Sequence, residues 1–546
     1  MQLYKQFCTE EFDNDNTLKS FKLKFEDNYN FGYDVLDQMA EKAPNDIALV
    51  WTNPEGEERI FTFADLSRLS NKAANVFLKY GIKKGDRVLL MLKRNYEYWY
   101  IVTALHKLGV VAIPATNMLT AEDISYRVNV ANIKMAVCTP DSDTVENILQ
   151  AKNKENSLKT VFVARKDFDG TVNITKEIES AGAELERVET KATEPMLIYF
   201  TSGTTGYPKA VVHNHIYSLC HIISAKYWQN VKEGGLHFSI AETGWAKASY
   251  GKIYGQWLCG CAVMAFDFEK FSPSKILKVI EKFKVTSFCA PPTAYRYFVK
   301  KGMQMYDLSS LEYLTTAGEA LNPIVAEAVY QQTGLHPMEG YGQSETTLLI
   351  ANLNGTHGKT GSIGKPSPMY DIRLVDSDGN EVKQGETGEI AVIPPKDRKQ
   401  YGIFTNYIGD EQMYQYAWRK GMYHTNDTAY MDEDGYYWYV GRADDLIKTR
   451  GYRVGPFEIE NVLMKHPAVL ECAVIGVPDE SRGQAIKAII KTVDGCDADK
   501  NLVNDIKVFS NKRLASYKWI QYIEFTDEMP KTISGKIKRV ALKANA

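Results

Sequence analysis

Short apolar runs alternate with amphipathic runs through most of this chain. Helical spacing predicts a helix over 31–43. The apolar stretch 46–51 reads as a strand, and Phe61 and Thr62 lead into an amphipathic helix over 65–80. The rhythm continues with a strand over 88–92 started by Gly85, Asp86 and Arg87, a helix over 97–108, a strand over 109–113 and a turn at Pro114. A second cycle runs through 124–130, 135–138, 144–151 and 160–163. Such a βαβ rhythm implies a parallel, doubly wound sheet covered by helices on both faces. Farther on, 196–200 and 210–213 read as strands and 215–228 as a helix, while the strand 236–240 runs into a loop at 241–245. The strand 313–314 precedes a small-residue turn. Segment 376–388 is turn-rich, 389–393 is a strand, and 430–440 is a hairpin around Asp432, Glu433, Asp434 and Gly435. The remainder alternates a helix (457–465), strands (469–475, 485–491), a helix (502–514) and a strand (520–525), enough for a small α+β domain.

Composition narrows the class. At 546 residues the chain exceeds what one core usually supports, so two domains are expected. Apolar and charged fractions of 44% and 24% suit a globular protein and exclude a disordered or fibrous one. Lys and Arg number 65 against 68 Asp and Glu, a formal charge of −3, which gives no general attraction to nucleic acid. No apolar stretch is long enough to span a bilayer, and residues 1–16 have no secretory apolar core. The eight cysteines are scattered without C-x-x-C spacing and read as reduced thiols of a cytoplasmic protein. His213 and His215 lack metal-ligand spacing and read as loop or core residues. Nothing in the pattern decides between a monomer and a homodimer.

Chemistry concentrates in a few loops. Thr201, Ser202, Gly203, Thr204, Thr205, Gly206, Tyr207, Pro208 and Lys209 combine two glycines, four aliphatic hydroxyls and a lysine between two strands. Backbone N–H groups in so unhindered a loop can form an anion nest, and Lys209 adds a point charge. This is not a Walker A loop, because Gly203 and Gly206 are three apart and Pro208 separates Gly206 from Lys209. It reads as a strand-to-strand lid over a triphosphate. In the stretch Glu339, Gly340, Tyr341, Gly342, Gln343, Ser344, Glu345, Thr346, Tyr341 offers a face for a base and Thr346 a hydroxyl for the α-phosphate. Glu345 offers a hard oxygen for Mg²⁺ bridging phosphates. Asp427 can accept both ribose hydroxyls, with Tyr439 flanking the adenosine and Arg442 reaching ribose or phosphates. Trp245 is as much a core candidate as a pocket one.

The motif T-S-G-T-T-G-Y-P-K, followed in order by G-Y-G-Q-S-E-T, G-R-A-D-D and P-K-T-I-S-G-K, resembles the adenylate-forming superfamily. That superfamily contains acyl-CoA synthetases, peptide-synthetase adenylation domains and luciferases. The resemblance covers about 46–539 and is nearest to medium-chain acyl-CoA synthetases. It implies that Gly318, Glu319 and Ala320 border adenine, that Trp245 lines an acyl tunnel, and that Lys536 enters the active site during adenylation. Asp444 matches the superfamily hinge. Arg450, Gly451, Tyr452 and Arg453 match a coenzyme A-binding turn, although the family often has Ser at the position of Arg450, and Arg482 is a further candidate for its phosphates. Acetyl-CoA synthetases carry Trp where this chain has Gly342, so the glycine is expected to leave the floor of the acyl site open.

The expected fold is therefore α/β. A large N-terminal domain over 1–443 contains doubly wound sheets and a small β-structured part, and a small mobile α+β lid occupies 444–546. The expected activity is AMP-forming: a medium-chain fatty or small aromatic carboxylate reacts with ATP, with Mg²⁺, to give acyl-AMP, and coenzyme A takes the acyl group. Three rivals are a module that loads a carrier protein, a non-catalytic nucleotide-binding regulator, and a phosphotransferase that would release ADP.

Overall fold

The computed structural model describes residues 1–544 apart from 142, 202–207, 320, 357, 397–399, 450–451, 480–481, 494 and 532–536. The chain divides into two compact units, one of Met1–Asp371 with Pro394–Arg419 and one of Ile372–Ile393 with Lys420–Ala546. The expected boundary at Asp444 lies inside the second.

Two large sheets build the first unit. One runs, edge to edge, through Asn406–Tyr407, Lys209–Asn214, Pro195–Thr201, Val111–Pro114, Arg87–Met91, Met135–Cys138, Thr160–Val163 and Val172–Asn173. Its central strands pair in parallel, and strands such as Met135–Cys138 are buried throughout, the continuous apolar run that a sheet covered on both faces requires. The parallel pattern stops at Pro195–Thr201, which pairs antiparallel with Lys209–Asn214. A connection of seven residues allows only that, since a parallel return needs a crossover of a dozen or more. The second sheet, of nine strands, has a parallel centre that includes Tyr313–Ala317, Ser287–Cys289, Leu236–Ser239, Ala262–Phe266 and Ile47–Thr52. Its Pro337–Tyr341 strand pairs in parallel with Tyr313–Ala317, and both strand ends lead into predicted site loops.

Local chemistry explains the element starts. Thr62 caps the helix Phe63–Lys79 through the Asp65 amide while Asp65 reaches back to Thr62, and Thr120 and Asp123 repeat this capping box before Ala121–Ala131. The helix expected over 215–228 forms as Ile216–Ile222 continued by a π-helical turn, Ile223–Trp228. The N-terminal hairpin of Cys8–Phe12 with Leu18–Leu23 was not expected; its strands are short and mixed in burial, so the period-two signal is weak.

In the second unit, Gly388–Ile393, Tyr423–Met431 and Tyr437–Arg442 form an antiparallel sheet, the last two joined by the expected hairpin. Val469–Asp479 and Gly483–Thr492 form the long hairpin of another sheet, packed with the helices Pro456–Leu463 and Lys500–Asn511 around a core of Ile459, Val474, Ile486 and Ile506. Among the described residues, no helix is long and apolar enough to cross a membrane. All eight cysteines are free thiols, seven of them buried.

Candidate active site

The Gly/Thr-rich loop springs from a paired pair of residues. Thr201 and Lys209 are cross-strand partners at the loop end of their hairpin. Ser202, Gly203, Thr204, Thr205 and Gly206 lie outside the described residues. Edge strand Asn406–Tyr407 pairs with Val211 and Val212, which brings Tyr407 beside the lysine. The Lys209 ammonium sits 5.5 Å from the centre of the Tyr407 ring, and the Tyr407 hydroxyl donates to Glu345 Oε1 at 3.0 Å. Two motifs separated by more than a hundred residues thus meet on one tyrosine. Sequence reasoning missed Tyr407, which belongs to no recognisable motif.

Glu345 belongs to a turn whose carbonyls accept from donors on other segments. Gln343 O and Thr346 O accept from the Tyr250 hydroxyl at 3.1 and 2.7 Å, and Ser344 O is 2.7 Å from His213 Nε2. Glu345 O accepts from the Phe404 amide at 2.7 Å. The Thr346 hydroxyl accepts from the Gln343 amide and donates to Thr347 O, so the side chain expected to meet the α-phosphate also closes the turn. Tyr250 and His213 were missed as site residues. His213 is buried, and burial pushes its pKa down to about 4, so the ring is neutral and carries its proton on Nε2 to serve the carbonyl.

The expectation that Gly342 leaves open space is corrected here. A Cβ built at Gly342 would lie 2.6 Å from Thr347 O and 2.6 Å from the Tyr250 hydroxyl oxygen. The glycine is there because backbone and phenol approach it closely. Gly340 is likewise packed, its Cβ position 2.5 Å from the Trp228 ring. Tyr341, which ends the strand Pro337–Tyr341, is half-buried, as are Gly342, Gln343, Ser344 and Glu345. The Glu339 carboxylate faces inward and accepts from the Leu321 and Gly361 amides at 3.1 and 2.9 Å, and burial pushes its pKa up to about 8. It ties the 321 segment to the strand that carries the turn.

Gly318 and Glu319 are exposed just beyond Tyr313–Ala317, and Ala320 lies outside the described residues. Gly318 has φ +100°, a conformation that a residue with Cβ rarely adopts. The Lys247 ammonium donates to Ala317 O at 2.5 Å, which places a cation beside this turn. Trp245, two residues earlier, is half-buried, unlike the fully buried Trp51, Trp99, Trp228 and Trp257. These loops follow the carboxyl ends of sheet strands, where open α/β folds place ligands.

In the second unit Asp427 and Arg442 are direct cross-strand partners. Asp427 Oδ1 accepts from the Tyr439 hydroxyl at 3.1 Å and lies 3.7 Å from Arg442 Nη1. Arg442 Nε donates to Asp444 Oδ1 at 3.3 Å. Asp427 is buried, whereas Arg442 and Asp444 reach water. Of the coenzyme A candidates, Tyr452 is exposed and stacked on Tyr517 with ring centres 4.4 Å apart. Arg453 lies on Tyr452–Val454 and Arg482 is half-buried. Arg450, Gly451 and Lys536 lie outside the described residues.

Among the described residues, no cluster of three or more His, Cys, Asp or Glu could hold a metal alone. A single hard carboxylate oriented by a phenol fits Mg²⁺ that arrives on phosphates and keeps most of its ligands as phosphate oxygens and water.

A family profile described as AMP-binding enzyme matches residues 36–401, and one described as AMP-binding enzyme C-terminal domain matches 458–536. The chain belongs to the AMP-binding enzyme family. Among its relatives, the Homo sapiens protein named acyl-coenzyme A synthetase ACSM3, mitochondrial, is 37% identical over 548 residues, covering 98% of this chain and 92% of that one. The 4-hydroxybutyrate–CoA ligase 1 of Metallosphaera sedula is 38% identical over 519 residues, covering 94% and 90%. In fold, this family member superposes on the crystal structure of the anthranilate CoA ligase AuaEII in complex with anthranoyl-AMP with a TM-score of 0.87 at 28% identity, covering 96% of this chain and 98% of that one.

Proposed function

We infer that the chain is an AMP-forming acyl-CoA synthetase: it joins a carboxylic acid to ATP as acyl-AMP, releases pyrophosphate, and passes the acyl group to coenzyme A. The observation that carries this reading is the meeting of Lys209 and Glu345 on Tyr407, beside a turn whose carbonyls at 343–346 accept from donors outside it. A cation and a metal-type carboxylate from separate motifs suit a triphosphate. In the first step the carboxylate oxygen attacks the α-phosphorus and the bond to pyrophosphate breaks. Such displacements need position and charge more than covalent help. Lys209 and Lys536 stabilise the phosphate charge, Thr346 and Arg442 orient the α-phosphate and ribose, and Asp427 takes the ribose hydroxyls. Tyr341 and the segment from Gly318 to Ala320 border adenine. Mg²⁺, held by Glu345, neutralises phosphate charge when bound. In the second step the thiol of coenzyme A attacks the acyl carbonyl and AMP leaves. Tyr452, Arg453 and Arg482 serve coenzyme A, with Arg450 and Gly451.

The acid is a medium-chain fatty or compact aromatic carboxylate. Support comes from the sequence resemblance and, for a compact aromatic acid, from the likeness to a ligase named for anthranilate; the close packing at Gly342 withdraws the argument from an open floor. Asp444 is the pivot between 1–443 and 444–546, so that Lys536 serves adenylation alone. Eight free thiols fit a reducing compartment such as the cytoplasm.

The test is product analysis with ATP, coenzyme A and a series of acids from acetate to tetradecanoate and benzoate. AMP, pyrophosphate and acyl-CoA should appear in equal amounts. ADP release, or acyl-AMP without thioester on free coenzyme A, would sink the assignment. Lys536→Ala should nearly abolish acyl-AMP formation yet leave thioester formation from supplied acyl-AMP, and equal loss of both would remove the two-step role of Lys536 and Asp444.

A further inference from the structure

The 343–347 turn is short of internal support. Its own hydrogen bonds are the Thr346 amide to Gln343 O, the Gln343 amide to Thr346 Oγ1, and the Thr346 hydroxyl to Thr347 O. Among the described residues, further donors to it come from distant segments. Tyr250, on the helix Lys247–Gly251, serves two carbonyls with one hydroxyl, and its ring stands edge-on to His221 at 4.8 Å. His213, on Lys209–Asn214, serves a third, and its ring lies stacked 3.9 Å from Tyr217. Both donors are buried and neither is charged in this setting.

Planar trans peptides turn these contacts into direction. A carbonyl drawn to one side sends the N–H of the next residue to the other. Tying Gln343 O to Tyr250 and Ser344 O to His213 therefore sends the Ser344 N–H away from Tyr250 and the Glu345 N–H away from His213. Two successive N–H groups on one side are the elements of an anion nest. The geometry points to His213 and Tyr250 as positioning residues: acting as a neutral two-point clamp on the backbone of 343–346, they aim the Ser344 and Glu345 N–H groups and the Glu345 carboxylate at the phosphates of Mg·ATP. This rests on the reading of that turn as part of the nucleotide site. It also accounts for Gly342, since a Cβ there would displace the Tyr250 hydroxyl.

The experiment compares wild type with Tyr250→Phe, His213→Phe and His213→Gln in the full chain. It measures Mg·ATP affinity by calorimetry, kcat for acyl-AMP formation, KM for coenzyme A, and Tm. Tyr250→Phe removes one hydroxyl and keeps the ring. Mg·ATP affinity should fall by about tenfold, the scale of a lost hydrogen bond to a buried carbonyl, with kcat several-fold lower, Tm lowered by no more than a few degrees and the KM for coenzyme A unchanged. His213→Gln places an amide N–H near the position of Nε2–H and should recover most of what His213→Phe loses. The double variant Tyr250→Phe with His213→Phe should lose less than the product of the single effects, because the two donors hold one turn.

Wild-type Mg·ATP affinity and kcat in Tyr250→Phe would overturn the clamp. So would a lowered Tm with unchanged affinity, which marks a purely structural role, or a His213→Gln enzyme no better than His213→Phe. If His213→Phe fails to fold, Tyr250→Phe decides alone. Wild type that binds Mg·ATP but makes no acyl-AMP would refute the synthetase reading instead, and the affinity of Tyr250→Phe would then decide the clamp by itself.

Discussion

Two regions of the molecule carry the residues proposed above for the nucleotide, and they are held by opposite means. Around residues 343–347 the backbone is gripped by neutral donors, His213 and Tyr250, away from water. At Asp427 the partners are the Tyr439 hydroxyl and the Arg442 guanidinium; the Arg442 side chain is 36% exposed, and it also reaches Asp444, which is 51% exposed. A neutral hydrogen bond in a dry setting fixes shape and is nearly blind to salt. An ion pair with one partner in water contributes about 1 kcal/mol or less, is screened, and can be exchanged for a ligand's charges. The first region is thus held independently of salt, and the second holds an ion pair that a charged ligand can exchange.

The largest expected effect is acid loss of the neutral side. His106, His213, His215, His221 and His237 are all buried in the first unit, and burial pushes their pKa values down, to about 4 for His213 and His215 and about 3 for His237. The unfolded chain, with histidines near ~6.5, binds more protons than the folded one in this window. Stability is therefore fully present above about pH 6.5 and is lost as pH falls toward the folded values, by ~1.4 kcal/mol per pH unit for each such group. Denaturant titrations at pH 7.5, 6 and 5 should show the first unit weakening by several kcal/mol; equal midpoints at the three pH values would refute it.

Next in size is Gly342→Trp. With 2.6 Å to both Thr347 O and the Tyr250 hydroxyl, any side chain must break the neutral grip. Acyl-AMP formation should fall by more than about a hundredfold, ~3 kcal/mol, for acetate, butyrate, octanoate and benzoate alike. Retained kcat with an optimum moved to acetate would restore the open-floor interpretation and undo the comparison on its fixed side.

On the charged side, Asp427→Asn keeps the shape and the Tyr439 contact but loses the charge that holds Arg442. KM for ATP should rise about tenfold while KM for the acid stays within about twofold. An unchanged KM for ATP would remove Asp427 from the ribose. The smallest effect is the sharpest discriminator. Between 0.1 and 1 M salt the screening length falls from ~10 to ~3 Å, so the penalty of Arg442→Ala should shrink by about half while that of Tyr250→Phe stays constant. Parallel salt responses would erase the distinction between the regions.

Legibility followed the kind of interaction. The strands over 135–138 and 160–163 appear at the expected bounds because they are buried on both faces and need only continuous apolar residues. The hairpin around Asp432 to Gly435 was legible from its turn residues, and the two strands flanking the connection after Thr201 from their apolar runs. Tyr407, Tyr250 and His213 were not legible, because each acts through a contact with a segment far away in the chain and none sits in a motif. Gly342 was misread for the same reason: a glycine in sequence looks like space, and only the position of the Tyr250 phenol shows that the space is filled.

The sequence by itself determined the α/β rhythm, the order of the motifs at 201–209, 340–346, 441–445 and 530–536, and through them the family, since all of these depend on residue type and local spacing. The tertiary structure alone decided which side chains meet Lys209 and the turn at 343–346. Lys209 and Glu345 share Tyr407 because an edge strand from residue 406 pairs beside residue 212, and the turn carbonyls are held by donors from two other elements. The physical reason is that a backbone carbonyl has no identity in sequence; its partner is set by register and packing across the fold, which no local pattern encodes.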